Sequence, residues 1–244
     1  MPLRLILFFC LALMSFPLGA AAQGAPSTAA GWQAVLAAGD KAEPVFDDAV
    51  ATFSDWLSAH GVPPGNVHRL SASPARAEAA AEPASAEQLL RRIAQLPVRP
   101  GENCLIFITS HGEHGRGVFL AYADEILTPV ALATALSGAC ARVPTVVIVS
   151  SCYSGSFARG AMAAPNRIIL TAARADRPSF GCQADRTYTV FDECLLAALA
   201  RARLWRAVFD GSVGCVRQRE AQLHVLPSEP QHFFGAKVRD LPVP

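Results

Sequence analysis

Two kinds of apolar run alternate along this chain. The first kind is short, unbroken and rich in β-branched residues, as in Leu105-Ile106-Phe107-Ile108-Thr109-Ser110 and Thr145-Val146-Val147-Ile148-Val149-Ser150. Such runs read as strands buried on both faces. The second kind spaces its apolar residues at a helical period. Over Phe46–His60 that stripe passes through Val50, Phe53, Trp56 and Leu57, and Gly61 ends it. The same pattern predicts strands over Trp32–Gly39, Asn66–Ser71, Val118–Ala121 and Arg167–Ala173, with a last short strand near Phe233-Phe234. It predicts helices over Ala86–Leu96, from Thr128-Pro129 to about Leu136, over Thr187–Leu204 and over Ser212–Leu223. Thr128 suits an N-cap and Pro129 a first turn. Residues 72–85 are rich in Ala, Pro, Ser and Glu without an apolar period, and Glu113–Gly117 is Gly-rich, so both are expected as loops.

Strands that alternate with helices predict an α/β fold, a mostly parallel β-sheet flanked by helices on both faces. Parallel crossovers then bring the carboxyl ends of strands 105–110 and 145–150 to one edge, where open α/β sheets hold their ligands. A single domain over 32–244 is expected, preceded by a loose segment over 23–31. Residues 1–22 read as a signal peptide: Arg4, an apolar stretch from Leu5 to Leu18, then Ala20-Ala21-Ala22 before Gln23. The apolar part falls short of the ~20 residues a membrane span needs, so no integral span is expected after cleavage. The expected location is therefore exported, periplasmic or secreted.

The 244 residues are 52% hydrophobic, enough for one sizeable core and far from a disordered composition. The net charge of +1 offers nothing to nucleic acid. Export changes how the cysteines are read. Beyond Cys10 the chain carries Cys104, Cys140, Cys152, Cys182, Cys194 and Cys215. An oxidising compartment favours disulfides among them. Cys104 and Cys140 each lie just before a strand. The two strands are expected to be neighbours, so these two cysteines are the first candidate pair, with Cys182 and Cys215 as a second. No paired C-x-x-C and no Cys/His cluster has ligand spacing, so neither a metal nor a cofactor is expected.

The two strongest strands both stop at a reactive side chain followed by small residues, in Ser110-His111-Gly112 and in Ser150-Ser151-Cys152-Tyr153-Ser154-Gly155. A His and a Cys at neighbouring strand tips meet the requirement for a thiolate nucleophile paired with a general base. The bland alternatives are a buried structural Cys and a satisfied core His; the strand-tip positions favour chemistry. His114 follows in the Gly-rich loop and is the weaker base. A helix starting beyond Cys152 would favour the thiolate through its positive end. Gly155 is expected to let a substrate approach the backbone. The amides of Gly112 and Cys152 are candidates for an oxyanion hole.

At these residues the chain resembles the legumain-like cysteine peptidases of the C13 family, within the caspase-like folds. The matching pieces are Ser110-His111-Gly112, then Ser150 to Phe157, and then the segment from Leu170 to Cys182 that contains Arg174-Ala175-Asp176-Arg177-Pro178-Ser179-Phe180-Gly181. The third looks like the pocket segment of bacterial members. The resemblance implies a caspase-like sheet, a His111–Cys152 dyad and cleavage of a peptide or protein substrate through a thioester, without a metal. By analogy Ser179 lines the pocket for the side chain preceding the scissile bond, with Ser150 beside it and Asp192 as a carboxylate. Legumains resemble a Glu-Ala-Cys pattern where this chain has Ser150-Ser151-Cys152, so selectivity for Asn is expected to be weaker.

The function expected is that of an exported cysteine endopeptidase. A transpeptidase would use the same dyad, with an amine capturing the thioester. An inactive caspase-fold binding or scaffold protein would keep the residues without turnover. A thiol–disulfide oxidoreductase would want a C-x-x-C pair that is missing. The oligomeric state is not legible in the sequence.

Overall fold

The computed structural model describes residues 31–75, 81–183 and 185–244. The expected signal peptide and its cleavage site lie outside them. Within them, no helix is long and apolar enough to cross a membrane.

Seven strands form the main sheet: β1 (Trp32–Ala38), β2 (Val67–Ser71), β3 (Glu82–Pro83), β4 (Asn103–Thr109), β8 (Thr145–Ser150), β9 (Arg167–Thr171) and β10 (Gln231–Phe234). Their order is β10-β9-β8-β4-β1-β2-β3. All neighbouring pairs are parallel except β10 on β9. The expected neighbours are adjacent: β4 pairs with β8 from Cys104↔Thr145 to Thr109↔Ser150. A second, antiparallel sheet consists of β5 (Gly112–Glu113), β6 (Gly117–Leu120) and β7 (Glu125–Leu127). The expected loop over Glu113–Gly117 is thus the turn of a hairpin. The expected loop over 72–85 contains the two-residue edge strand β3.

The central strands are buried on both faces, as their unbroken apolar runs require, and period-2 alternation sorts their side chains into two cores. One face gathers Leu36, Phe107, Ile148 and Leu170 under α1 (Val45–Ala59), α4 (Val190–Leu199) and α5 (Trp205–Leu223). The other gathers Val35, Ile106, Ile108 and Val149 under α2 (Ala86–Ala94) and α3 (Pro129–Leu136). Fully burying one such side chain stabilises by about 1.5–3 kcal/mol. Caps set three helix starts. Ser85 accepts from the Gln88 amide, Thr128 from Ala131 and Thr189 from Asp192.

Two helix boundaries differ from expectation. Helix α4 stops at Leu199 rather than Leu204, and α5 begins at Trp205 rather than Ser212. Gly211 weakens the local preference just ahead of Ser212, about 1 kcal/mol against Ala. Packing overrides it. Trp205 is buried against Trp32, with ring centroids 6.1 Å apart. A Cβ on Gly211 would lie 3.3 Å from the Ala198 Cβ, so the missing side chain lets α5 approach α4.

One disulfide serves each face. Cys104 pairs with Cys140 at a Cα separation of 6.0 Å, joining the start of β4 to the segment after α3. Cys215 pairs with Cys194, not Cys182, at 5.5 Å and ties α5 to α4. The Cys182–Cys215 expectation fails because the two helices bring Cys194 to Cys215 first. Cys152 and Cys182 are the free thiols among the described residues.

Candidate active site

The site forms where β4 and β8 end together. The Ser110 N–H donates to the Ser150 carbonyl at 3.1 Å, extending the ladder one step past the strands. Two residues further on, the Gly112 backbone lies against the Cys152 carbonyl. A Cβ on Gly112 would fall 2.0 Å from that oxygen, so only glycine fits. The segments carrying His111 and Cys152 are therefore in contact, and both residues are half-buried.

Separate elements hold each partner. The His111 ring packs edge-on against Phe46 of α1, with centroids 5.3 Å apart. Its carbonyl accepts from the Phe119 N–H at 3.0 Å. That bond, with the Gly112↔Val118 pairing, makes Gly112 a non-hydrogen-bonded pair, so its N–H points away from β6. An amide free of the ladder is what an oxyanion hole needs. Ser110, buried, anchors the turn by donating its hydroxyl to the Phe119 carbonyl at 2.6 Å.

Cys152 is followed by Tyr153 at φ 58°, a left-handed conformation uncommon for a side-chain-bearing residue. The Tyr153 N–H donates to the Arg177 carbonyl at 2.8 Å, fastening the Cys152 turn to the segment after β9. No α-helix begins here. A five-residue 3-10 turn, Ser154–Ala158, follows instead, so the expected helix-end effect on the thiol has no structural basis. Gly155 also differs from expectation. Its Cβ would meet the Ala175 N at 2.6 Å and the Ala173 O at 2.9 Å, so it serves close packing of two backbone segments.

Ser179 reaches Cys152 directly. Its N–H donates to the Cys152 Sγ at 3.3 Å, and the thiol donates to its carbonyl at 3.5 Å. The Ser179 hydroxyl lies 3.8 Å from the same sulfur. Cys182 lies three residues further on, half-buried. Burial first, and the Cys152 charge second, push its thiol pKa up, which keeps it a poor nucleophile at neutral pH.

Ser150 and Asp192 lie beneath the strand tips rather than at the surface of the crevice, 2% and 0% exposed respectively. Asp192 Oδ2 accepts the Thr109 hydroxyl at 2.7 Å, while Oδ1 is buried without a hydrogen-bond partner. Burial, the largest influence, raises the Asp192 pKa to about 6; the hydroxyls of Thr109, Ser150 and Thr189 act the other way. Ser150 lies near enough to act on the carboxyl without closing a hydrogen bond to it. The carboxyl thus sits beside the ends of both strands, β4 and β8, that lead to His111 and Cys152. Thr109 and Phe46 were not singled out in the sequence, where each reads as an ordinary core position. No group of three or more His, Cys, Asp or Glu residues able to hold a metal ion occurs among the described residues.

Comparisons with known proteins bear on the family and the fold. Residues 91–204 match the sequence model of the Peptidase C13 family. That span contains His111, Cys152, Ser179 and Asp192. Among solved structures the chain is similar to caspase-1 from Spodoptera frugiperda. The TM-score is 0.60 at 14% identity, covering 91% of this chain and 94% of that one. At that identity the likeness establishes the fold. No curated protein matches the chain significantly in sequence.

Proposed function

We propose that this chain, a legumain-like, caspase-fold protein whose residues 91–204 belong to the peptidase C13 family, is an exported cysteine endopeptidase working through Cys152 and His111. The observation that carries this reading is the meeting of the two strand tips, with the Gly112 backbone against the Cys152 carbonyl.

In the reaction, His111 takes the proton from the Cys152 thiol, and the sulfur attacks the scissile carbonyl carbon to form a C–S bond. The negative charge that develops on the carbonyl oxygen is met by the Gly112 and Cys152 amides. The His111 imidazolium then protonates the leaving amine as the C–N bond breaks, leaving a thioester. Water, giving its proton to His111, attacks the thioester, and Cys152 departs as the leaving thiolate. Ser179 forms the wall of the pocket for the side chain preceding the scissile bond. Ser150 forms its floor, with the Asp192 carboxyl beneath.

The test is cleavage of a peptide library by the chain lacking residues 1–22, beside Cys152→Ala. Faster labelling of Cys152 than of Cys182 by iodoacetamide accompanies the reading. Cleavage that persists in Cys152→Ala, or two thiols that label equally slowly with no cleavage, would leave a scaffold protein as the better account.

A further inference from the structure

A cavity of about 510 Å³ opens between the β5–β6 hairpin and the turn following Cys152. Both of its walls continue the catalytic segments. His114 and Arg116 come from the hairpin that runs on from His111; Ser156 and Arg159 come from the turn that runs on from Cys152. The His114 ring of the cavity wall meets Tyr153, the residue after Cys152, edge-on with centroids 5.1 Å apart.

The charges around it divide into satisfied and unsatisfied. Arg174 holds Asp176 through two bonds of 2.5 and 3.0 Å and Glu229 at 2.6 Å. Arg177 also reaches Glu229, at 3.3 Å, so these two cations and two anions neutralise one another. Arg116, largely exposed, pairs with the half-buried Glu113 of its own hairpin. Arg159 is exposed and makes no ion pair among the described residues. The cavity is left with one guanidinium in no ion pair, a second exposed one paired to its own hairpin, and the Ser156 hydroxyl, which donates to the Tyr153 carbonyl at 3.4 Å. That set suits one carboxylate, which a guanidinium grips with two parallel bonds.

The side of the scissile bond follows from the chemistry. A general acid must face the amine it protonates. The hairpin leaving His111 therefore runs beside the substrate residues C-terminal to the scissile bond. We infer that this cavity is a subsite for an acidic side chain, Asp or Glu, within the first three residues after the cleaved bond; the inference rests on the peptidase reading above.

The test uses matched peptides with one common sequence before the bond. Asp, Asn, Glu, Gln or Lys is placed in turn at each of the three positions after it. At low ionic strength the acidic peptide at one position is expected to show about a 5–10-fold higher kcat/KM than its amide counterpart, the size of a partly exposed charge pair. The ratio should shrink in high salt. It should fall to about one in Arg159→Ala and invert in favour of Lys in Arg159→Glu. Thermal unfolding and the rate of Cys152 alkylation report that both variants are folded. Equal cleavage of acidic and amide peptides at all three positions, or an acidic advantage untouched in Arg159→Glu, overturns the inference alone. Failure of the wild-type chain to cleave any peptide strikes the peptidase reading, and this inference with it.

Discussion

The strands β4 and β8 run side by side, and their two ends are built differently. At the amino ends Cys104, opposite Thr145, is bonded covalently to Cys140, and all three residues are buried. At the carboxyl ends Cys152 and Cys182 stay unpaired and half-buried. There the connections are hydrogen bonds alone: Ser110 to Ser150, Tyr153 to Arg177, Ser179 to Cys152. One end fixes the pair of strands, so the other can present a free thiol on a turn held by weak bonds. The difference explains why Cys104 is tied into a disulfide while Cys152 stays free.

Substitutions at the two ends should therefore separate activity from stability. The largest effect is expected at the carboxyl end. Cys152→Ala and His111→Ala should each lower kcat/KM on the order of 10⁴-fold or more, and the double variant should be little worse, because the pair acts as a unit. Thermal unfolding of each should stay near that of the wild type. Additive losses in the double variant would show that the two residues do not share a step.

At the amino end the same kind of substitution should do the reverse. Replacing Cys104 and Cys140 together by Ala opens a loop of sequence separation 36. The expected loss is about 3–4 kcal/mol of stability. Activity of the folded fraction at low temperature should remain within about twofold. A loss of activity without a loss of stability would mean that the disulfide sets the geometry of the far end.

Gly112→Ala comes next. Its Cβ would lie 2.0 Å from a backbone oxygen of the nucleophile itself, so the Cys152 turn must move. A displacement of that order costs about 100-fold in turnover. Steady-state kinetics on a cleaved library peptide would measure it, and unchanged kcat would separate Gly112 from the oxyanion site.

Much of this comparison is legible in the chain, because β4 and β8 are long apolar runs that end at His111 and Cys152. Periodicity alone places them, and two adjacent parallel strands bring Cys104 near the segment holding Cys140. The parts that resist reading depend on contacts distant in sequence. Phe46 lies on the apolar stripe of α1, and nothing local says that its ring meets His111. Strand β7 has only three residues, Glu125–Leu127, too few to show an alternation. The start of α5 is hidden by Gly211, whose value lies in the close approach to α4. Gly155 shows the limit of motif reasoning: a glycine after a nucleophile suggests room for substrate, yet here it makes room for the chain's own backbone.

The smallest expected effect belongs to Asp192, which belongs to neither end in the simple sense. It enters the carboxyl end from α4, touches Thr109, and is fully buried. Its pKa in the fold is about 6, against 3.8 for the ordinary group. The folded protein therefore holds this proton more tightly than the unfolded chain does. The stabilisation is fully present below about pH 4 and is lost as the pH rises through about 6. The full linkage is roughly 3 kcal/mol at most. Asp192→Asn removes the titration while keeping an oxygen for the Thr109 hydroxyl. The amide must find room for two N–H donors beside an oxygen that had no partner, so a net gain of about 1–2 kcal/mol at pH 8 is expected, shrinking to nothing or a small loss at pH 4. Denaturant unfolding of both proteins at several pH values between 4 and 8 measures the difference. A stability gap that stays constant across that range would mean the carboxyl does not titrate there. A gap that widens towards low pH would mean that the charged form is stabilised by the strand tips, reversing the account of why this carboxyl sits beneath them.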